Sequence, residues 1–242
     1  MKNSIKYILQ RTLGFERYLF VFSLFKIKTL KSDAKERDFF HFLNLLQDGK
    51  GDVLDVGANI GIMTVHLAQK LPNTLIHAFE PIPANIFVLT KIVSKFKLEK
   101  IKLHPVAVGD AEGKVQMILP NQGKTKMQGL CHVKHDSIQE WNEGEEFDVA
   151  MNQLDNLLNG QPIQAIKIDV ENFEYYALKG AMRILKSNKP IIYAELWDNE
   201  NRTNCFKLLS DLGYFTYIVE NNKLVQFESE KHTKQNFIFI AN

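Results

Sequence analysis

The chain has 242 residues, 45% of them hydrophobic and 24% charged, a balance that excludes disordered and fibrous classes and suits one domain with modest appendages. Its formal net charge of +2 offers no global attraction to nucleic acid, so no nucleic-acid partner is expected. Cys131 and Cys205 form neither a metal-ligand spacing nor a disulfide framework, which points to a reducing, cytoplasmic setting.

The first residues lack the long apolar core and small-residue cleavage site of a secretory signal. The strongest apolar run, Tyr18 to Phe25, is far shorter than the roughly 20 residues that span a bilayer, so no transmembrane helix is predicted. Residues 1–37 nevertheless carry nine Lys or Arg against Glu16, Asp33 and Glu36, with aromatic residues interleaved. Residues 1–48 are read as a helical N-terminal extension. In the preferred reading Phe15, Leu19, Phe22 and Phe25 pack on the core under a solvated basic face. In the other, the basic segment lies on an anionic membrane, peripheral to its inner face, or holds a phosphorylated substrate.

Ser32 or Asp33 is placed to cap a helix whose apolar positions Phe39, Phe42, Leu43 and Leu46 recur at three- and four-residue spacing, ending near Gly49. Val53 to Val56 is then a short apolar run closed by glycine, and Ile62 to Lys70 resumes helical spacing until Pro72. The unit repeats: a strand over Thr74–Phe79, a helix over Ala84–Phe96, and a third strand over Ile101–Val108 with Pro105 at its middle or at a bend. Residues 110–160 interrupt this rhythm with five-fold glycine punctuation among short β-prone pieces, a β-rich excursion. A fourth strand over Gln164–Val170, a helix over Tyr175–Leu185 and a fifth strand over Pro190–Leu196 follow.

After a helix from about Asn201 to Leu212, the segments Tyr214–Val219, Leu224–Phe227 and Asn236–Ile240 have no helix between them and so pair antiparallel. The predicted fold is α/β: residues 49–242 form a doubly wound, seven-stranded, mostly parallel sheet with an antiparallel edge, Rossmann-like, in the arrangement class I methyltransferases use.

In such a sheet ligands bind beyond the carboxyl ends of the strands, at the switch in strand order. The predicted strand ends carry Asp55, Glu80, Asp169 and Glu195. Buried parallel strands are normally apolar, and crowded carboxylates repel one another, so four acids on one edge imply a cationic ligand among them. The turn Asp55-Val56-Gly57-Ala58-Asn59-Ile60-Gly61 reads G-x-N-x-G, with Thr64 three residues on, and not the G-x-G-x-x-G of a dinucleotide site. Asp55 would repel a pyrophosphate and attract a sulfonium or ammonium. Gly57 and Gly61 let backbone approach a ligand, Asn59 tolerates a left-handed conformation, and Glu80 is placed to accept both ribose hydroxyls. S-adenosylmethionine meets all of these demands.

Further motifs carry a family resemblance. Phe79-Glu80-Pro81-Ile82-Pro83, Pro105 to Asp110, Leu154-Asp155, and Ile166-Lys167-Ile168-Asp169-Val170-Glu171 followed by Glu174 resemble the FkbM-type class I methyltransferases from about Asp52 to Glu195. The chain departs from them at Asn172, where glycine is usual. The resemblance implies transfer to hydroxyl oxygens of sugars, polyketides or related metabolites. It also implies adenine near Pro81, Ile82, Ala107 and Val108, and the methionyl end near Asp55, Gly57 and Asn59.

A sugar hydroxyl is a weak nucleophile at neutral pH, so a base or a metal is expected beside it. Strand alternation puts Lys167, Asp169 and Glu171 on one face if the fourth strand runs that far. Asp169 is the first candidate for base, Glu195 the next and Glu171 the third, with Lys167 steadying a carboxylate or oxyanion. Asp169 and Glu195 are the candidate ligands for magnesium or manganese. A salt bridge around Lys167 with no catalytic part is the competing reading of these residues. His132 and His135, with Lys124, Lys126 and Lys134, lie in the excursion, as a gating or phosphate-binding loop or simply a solvated one. His66 and His104 read as helix and strand side chains. Other functions consistent with the topology are methylation of a polyketide or other small metabolite, a nicotinamide-dependent oxidoreductase, and a non-catalytic cofactor-binding subunit.

Overall fold

A computed structural model describes residues 2–135, 138, 141 and 143–241, with side chains from residue 6 onward. Helices α1 (Lys2–Leu13) and α2 (Phe15–Thr29) are separated by Gly14, whose φ of 77° sets the bend between them. Asp33 accepts from Lys35 N and so opens a short 3-10 turn that leads into α3 (Arg37–Leu45). Within α2 the side chains of Leu19, Ser23 and Ile27 are buried, Phe15 and Phe22 pack at the margin, and Phe25 is 61% exposed. Phe25 therefore departs from its expected place on the core.

The alternation of strand and helix then begins: β1 (Asp52–Val56), α4 (Ile62–Lys70), β2 (Ile76–Phe79), α5 (Pro83–Phe96) and β3 (Ile101–His104). Pro105, which has no N–H to give to a ladder, ends β3. The predicted third strand thus splits, and β4 (Ala107–Val108) joins a different sheet. That second sheet takes in β5 (Gly113–Gln122), β6 (Thr125–Lys126), β7 (His132–Val133) and β8 (Gly144–Asn152). β4 pairs parallel with β8, β8 antiparallel with β5, and β5 with both β6 and β7. The excursion is a small sheet standing beside the main one.

The main sheet resumes through α6 (Leu154–Leu157), β9 (Ile163–Ile168), α7 (Glu174–Lys179), α8 (Met182–Asn188), β10 (Ile191–Glu195), α9 (Glu200–Asp211), β11 (Tyr214–Glu220), β12 (Lys223–Gln226) and β13 (Asn236–Ala241). The helix predicted over 175–185 is two helices. A Cβ on Gly180 would lie 2.0 Å from the Gly109 carbonyl oxygen, and the Asp155 carboxylate accepts from Arg183 N and Ile184 N at the start of α8. Backbone crowding and a side-chain cap from outside the helix break it there.

The strand order β12-β11-β13-β10-β9-β1-β2-β3 makes eight strands, one more than the expected seven. β10, β9, β1, β2 and β3 run parallel, and β13, β11 and β12 extend the sheet antiparallel. The eight include β12, the edge strand over the expected Leu224–Phe227 segment, hairpinned to β11 through Asn221 and Asn222, both at positive φ. Phe39, Phe42 and Leu43 of α3 pack with Val53, Ile76 and Tyr193 on one sheet face, while Ile184, Leu185 and Leu209 pack with Ile166 and Ile192 on the other. The order reverses between β1 and β9, which opens a crevice at their carboxyl ends.

Candidate active site

Three left-handed residues in five, Gly57 (φ 77°), Asn59 (φ 53°) and Gly61 (φ 82°), shape the turn from β1 into α4. A Cβ at Gly57 would lie 1.8 Å from the Asp169 carbonyl oxygen, so only glycine lets the end of β1 meet the end of β9. Gly57 N and Ala58 N donate to the Phe79 carbonyl, which ties the turn to β2.

Glu80, 5% exposed, follows β2 directly. Its carboxylate accepts from Asn59 N at 2.9 Å, Ile82 N at 2.9 Å and Asn85 Nδ2 at 3.1 Å. Burial raises its pKa to about 7, against these hydrogen bonds and the Lys167 charge. Glu80 is held in place yet retains lone pairs toward the cavity it lines.

That cavity lies over the carboxyl ends of β1, β2 and β9. Gly57, Asn59, Glu80, Pro81, Ile82, Ala107, Val108, Asp169 and Glu171 line it, as does Phe79. Asp55, Ala58, Gly61, Thr64, Lys167 and Glu195 do not. Asp55 is fully buried, accepting from Thr64 Oγ1 at 2.6 Å, with its other oxygen 3.3 Å from Lys167 Nζ. Lys167 is itself 3% exposed and donates to the Gly57 carbonyl at 2.8 Å. Burial works against the ammonium, but Asp55 and Asp169 outweigh it and hold its pKa above the ordinary value. Part of the positive charge expected among the strand-edge acids is thus supplied by the chain.

The alternation expected to align Lys167, Asp169 and Glu171 fails, because β9 ends at Ile168 and Glu171 adopts φ 52° in a turn. Asp169 keeps about a third of its side chain accessible, 4.0 Å from Lys167 Nζ. Burial, then the charges of Asp169 and Glu195, pushes the Glu171 pKa up, and burial with Asp169 and Glu36 does the same for Glu195. Among the described residues no group of three or more His, Cys, Asp or Glu is disposed to hold a metal ion. Lys167 stands beside Asp169 at this strand edge, with Nζ 4.0 Å from its carboxylate.

Asn172, in place of the usual glycine, keeps the left-handed conformation at φ 72°. Its Oδ1 accepts from Asn199 Nδ2 at 2.8 Å and its carbonyl from Asn201 Nδ2 at 2.8 Å. Glu174 closes the same turn, accepting from Val170 N and Asn172 N, and burial raises its pKa to about 8.

The excursion supplies walls that no local pattern foretold: Met117, Gln128, Gly129, Cys131 and Val133 line the cavity, with Asn85 and Phe173 from the main fold. Gln128 Nε2 donates to Asn59 Oδ1, across 69 residues of sequence. Burial, followed by the charges of Glu80 and Glu171, raises the Cys131 thiol pKa. His132 is buried with Nδ1 2.9 Å from the Leu130 carbonyl, and His135 packs its ring on Phe173 and Tyr176. Lys126 and Lys134 pair with Glu145 and Glu146. His66 Nε2 lies 3.1 Å from the Ile27 carbonyl, and His104 meets His77, which reaches Asp52.

The cavity brings together group types that suit S-adenosylmethionine: apolar side chains such as Ile82 and Val108, the Glu80 carboxylate, and the glycine turn beside Asp169.

Known proteins resemble the chain in sequence or in fold. Methyltransferase 1 of Beauveria bassiana (strain ARSEF 2860) is 24% identical over 142 residues, 53% of this chain and 57% of that protein. Methyltransferase FkbM from Methylobacillus flagellatus KT superposes with a TM-score of 0.54 at 16% identity, over 98% of this chain and 59% of that one. An S-adenosylmethionine-dependent O-methyltransferase from Thermotoga maritima gives 0.51 at 11% identity, over 89% and 70%. The chain thus spans under three-fifths of the first two, and the structural likenesses establish the fold. The family model of the methyltransferase FkbM domain matches residues 55–235, from Asp55 through every strand-edge acid of the site, and the chain belongs to that family.

Proposed function

We propose that this protein transfers a methyl group from S-adenosylmethionine to a hydroxyl of a sugar, nucleotide-linked or within a capsule or lipopolysaccharide glycan. The observation that carries the reading is Asp169, whose carbonyl abuts Gly57 in the cofactor turn while its carboxylate stays accessible at the cavity edge. When bound, the cofactor supplies an electrophilic methyl carbon on a sulfonium sulfur. Glu80 holds the ribose, and the Asp55–Lys167 pair fixes the turn from below. Asp169 accepts the hydroxyl proton as the acceptor oxygen forms its bond to carbon and the carbon–sulfur bond breaks. Glu171, which lines the cavity and has a raised pKa, serves as a hydrogen-bond donor that orients the acceptor.

The test is incubation with cofactor labelled in the methyl group and a panel of nucleotide sugars, glycans and polyketide alcohols. Label on a sugar oxygen supports the proposal. Label confined to nitrogen, carbon or polyketide oxygen overturns its acceptor, and calorimetric binding of NAD without S-adenosylmethionine overturns its cofactor.

A further inference from the structure

Among the described residues, the N-terminal helices leave several large apolar side chains exposed. Five of the eight large hydrophobic side chains exposed among the described residues lie on α1 and α2, and the other three, Phe87, Trp141 and Phe215, sit on separate segments. On α2, Arg17, Val21, Phe25 and Lys28 share one helical face, opposite the buried Leu19, Ser23 and Ile27, with Val21 53% and Phe25 61% exposed. On α1, Ile8 is 57% exposed and Leu9 and Leu13 stand beside it at 40% and 38%.

Charge identifies what covers this face. Residues 2–32 contain seven Lys or Arg and one acid, Glu16. A second copy of the chain would bring the same sign of charge against itself, whereas an anionic lipid surface neutralises it and receives the apolar side chains. No helix among the described residues is long and apolar enough to cross a membrane, and α2, at 15 residues, has about 22 Å of length. A helix of that length and charge suits the plane of a surface.

We propose that α1 and α2 form a docking face for an anionic lipid bilayer, entered by Val21 and Phe25 and held by the flanking basic side chains. Hydrogen bonds join these helices to segments that line the cavity. Ser23 Oγ donates to the Ile60 carbonyl at 2.9 Å, inside the turn between Gly57 and Gly61, and Gln10 exchanges two hydrogen bonds with the Lys126 backbone, two residues before the cavity-lining Gln128. Docking therefore sets the orientation of the site relative to the lipid surface, whatever the acceptor.

The test is sedimentation of the full chain with vesicles of phosphatidylcholine alone or with about 30 mol% phosphatidylglycerol, at low and at roughly 0.5 M salt. Binding is expected only with the anionic lipid and only at low salt. V21D/F25D and R17E/K28E are each expected to weaken it about tenfold or more, while F87D leaves it unchanged. All three keep the wild-type melting temperature and affinity for S-adenosylhomocysteine, which separates lost docking from lost fold. No sedimentation, equal binding to neutral vesicles, or a dimer in solution that V21D/F25D converts to monomer would each overturn the proposal.

Discussion

Lys167 Nζ stands 3.3 Å from Asp55 Oδ1 and donates to the Gly57 carbonyl at 2.8 Å, so one buried ammonium neutralises β1 and braces the turn that follows it. Removing one partner of such a pair leaves the other buried and unpaired. K167M is expected to cost about 3–5 kcal/mol in urea unfolding, and D55N/K167M to recover part of that loss. A K167M protein as stable as wild type would show that Asp55 does not depend on Lys167.

Glu80 has a pKa raised to about 7, chiefly by burial. Ribose hydroxyls donate to the ionised carboxylate, so affinity for S-adenosylhomocysteine should rise between pH 6 and 8, by at most about tenfold per pH unit. E80Q should bind roughly ten- to a hundredfold more weakly with a flat profile. For the unliganded fold the sign reverses: a carboxyl whose folded pKa is raised stabilises below its unfolded value, and that contribution is lost as pH rises toward about 7. Calorimetric titration across pH checks the first effect. A slope that survives in E80Q assigns it to another group.

Asp169 touches the cofactor turn through its backbone and the cavity through its carboxylate. D169N preserves the first and removes the second, so it should lower kcat by about 10²–10⁴ with cofactor Kd within roughly threefold. Single-turnover methyl transfer measured beside calorimetry separates the two. Unchanged kcat removes Asp169 from proton transfer.

Asn172 combines a left-handed backbone with a side-chain hydrogen bond to Asn199. N172G loses only the bond and should cost about 1 kcal/mol, whereas N172A adds left-handed strain and should cost about 2–3 kcal/mol. Denaturant midpoints of the two variants check the order, and equal losses would mean that φ at this position is of no energetic consequence.

The strands and the Asp55–Gly61 turn were legible because hydrophobic runs closed by glycine are local signals, and the boundaries of α4 fall where Gly61 and Leu71 bound the helical spacing. The acids at strand ends were legible for the same reason. The depth of each was not: Asp55 and Lys167 pair below the cavity while Asp169 opens into it, a difference set by how β1 and β9 stack. The break at Gly180 comes from Gly109, and the role of Gln128 from Asn59, both contacts between distant segments that no local period encodes. Spacing alone also could not say which phenyl ring of α2 turns outward, since Phe22 and Phe25 stand only three residues apart.

The hydrogen bond from Gln128 to Asn59 ties the small sheet to the cofactor turn, and it does so with the very residues that face the cavity. A ligand that hydrogen-bonded the Asn59 amide oxygen would compete with that tie. A change at position 128 therefore reaches the wall of the cavity and the turn between β1 and α4 together.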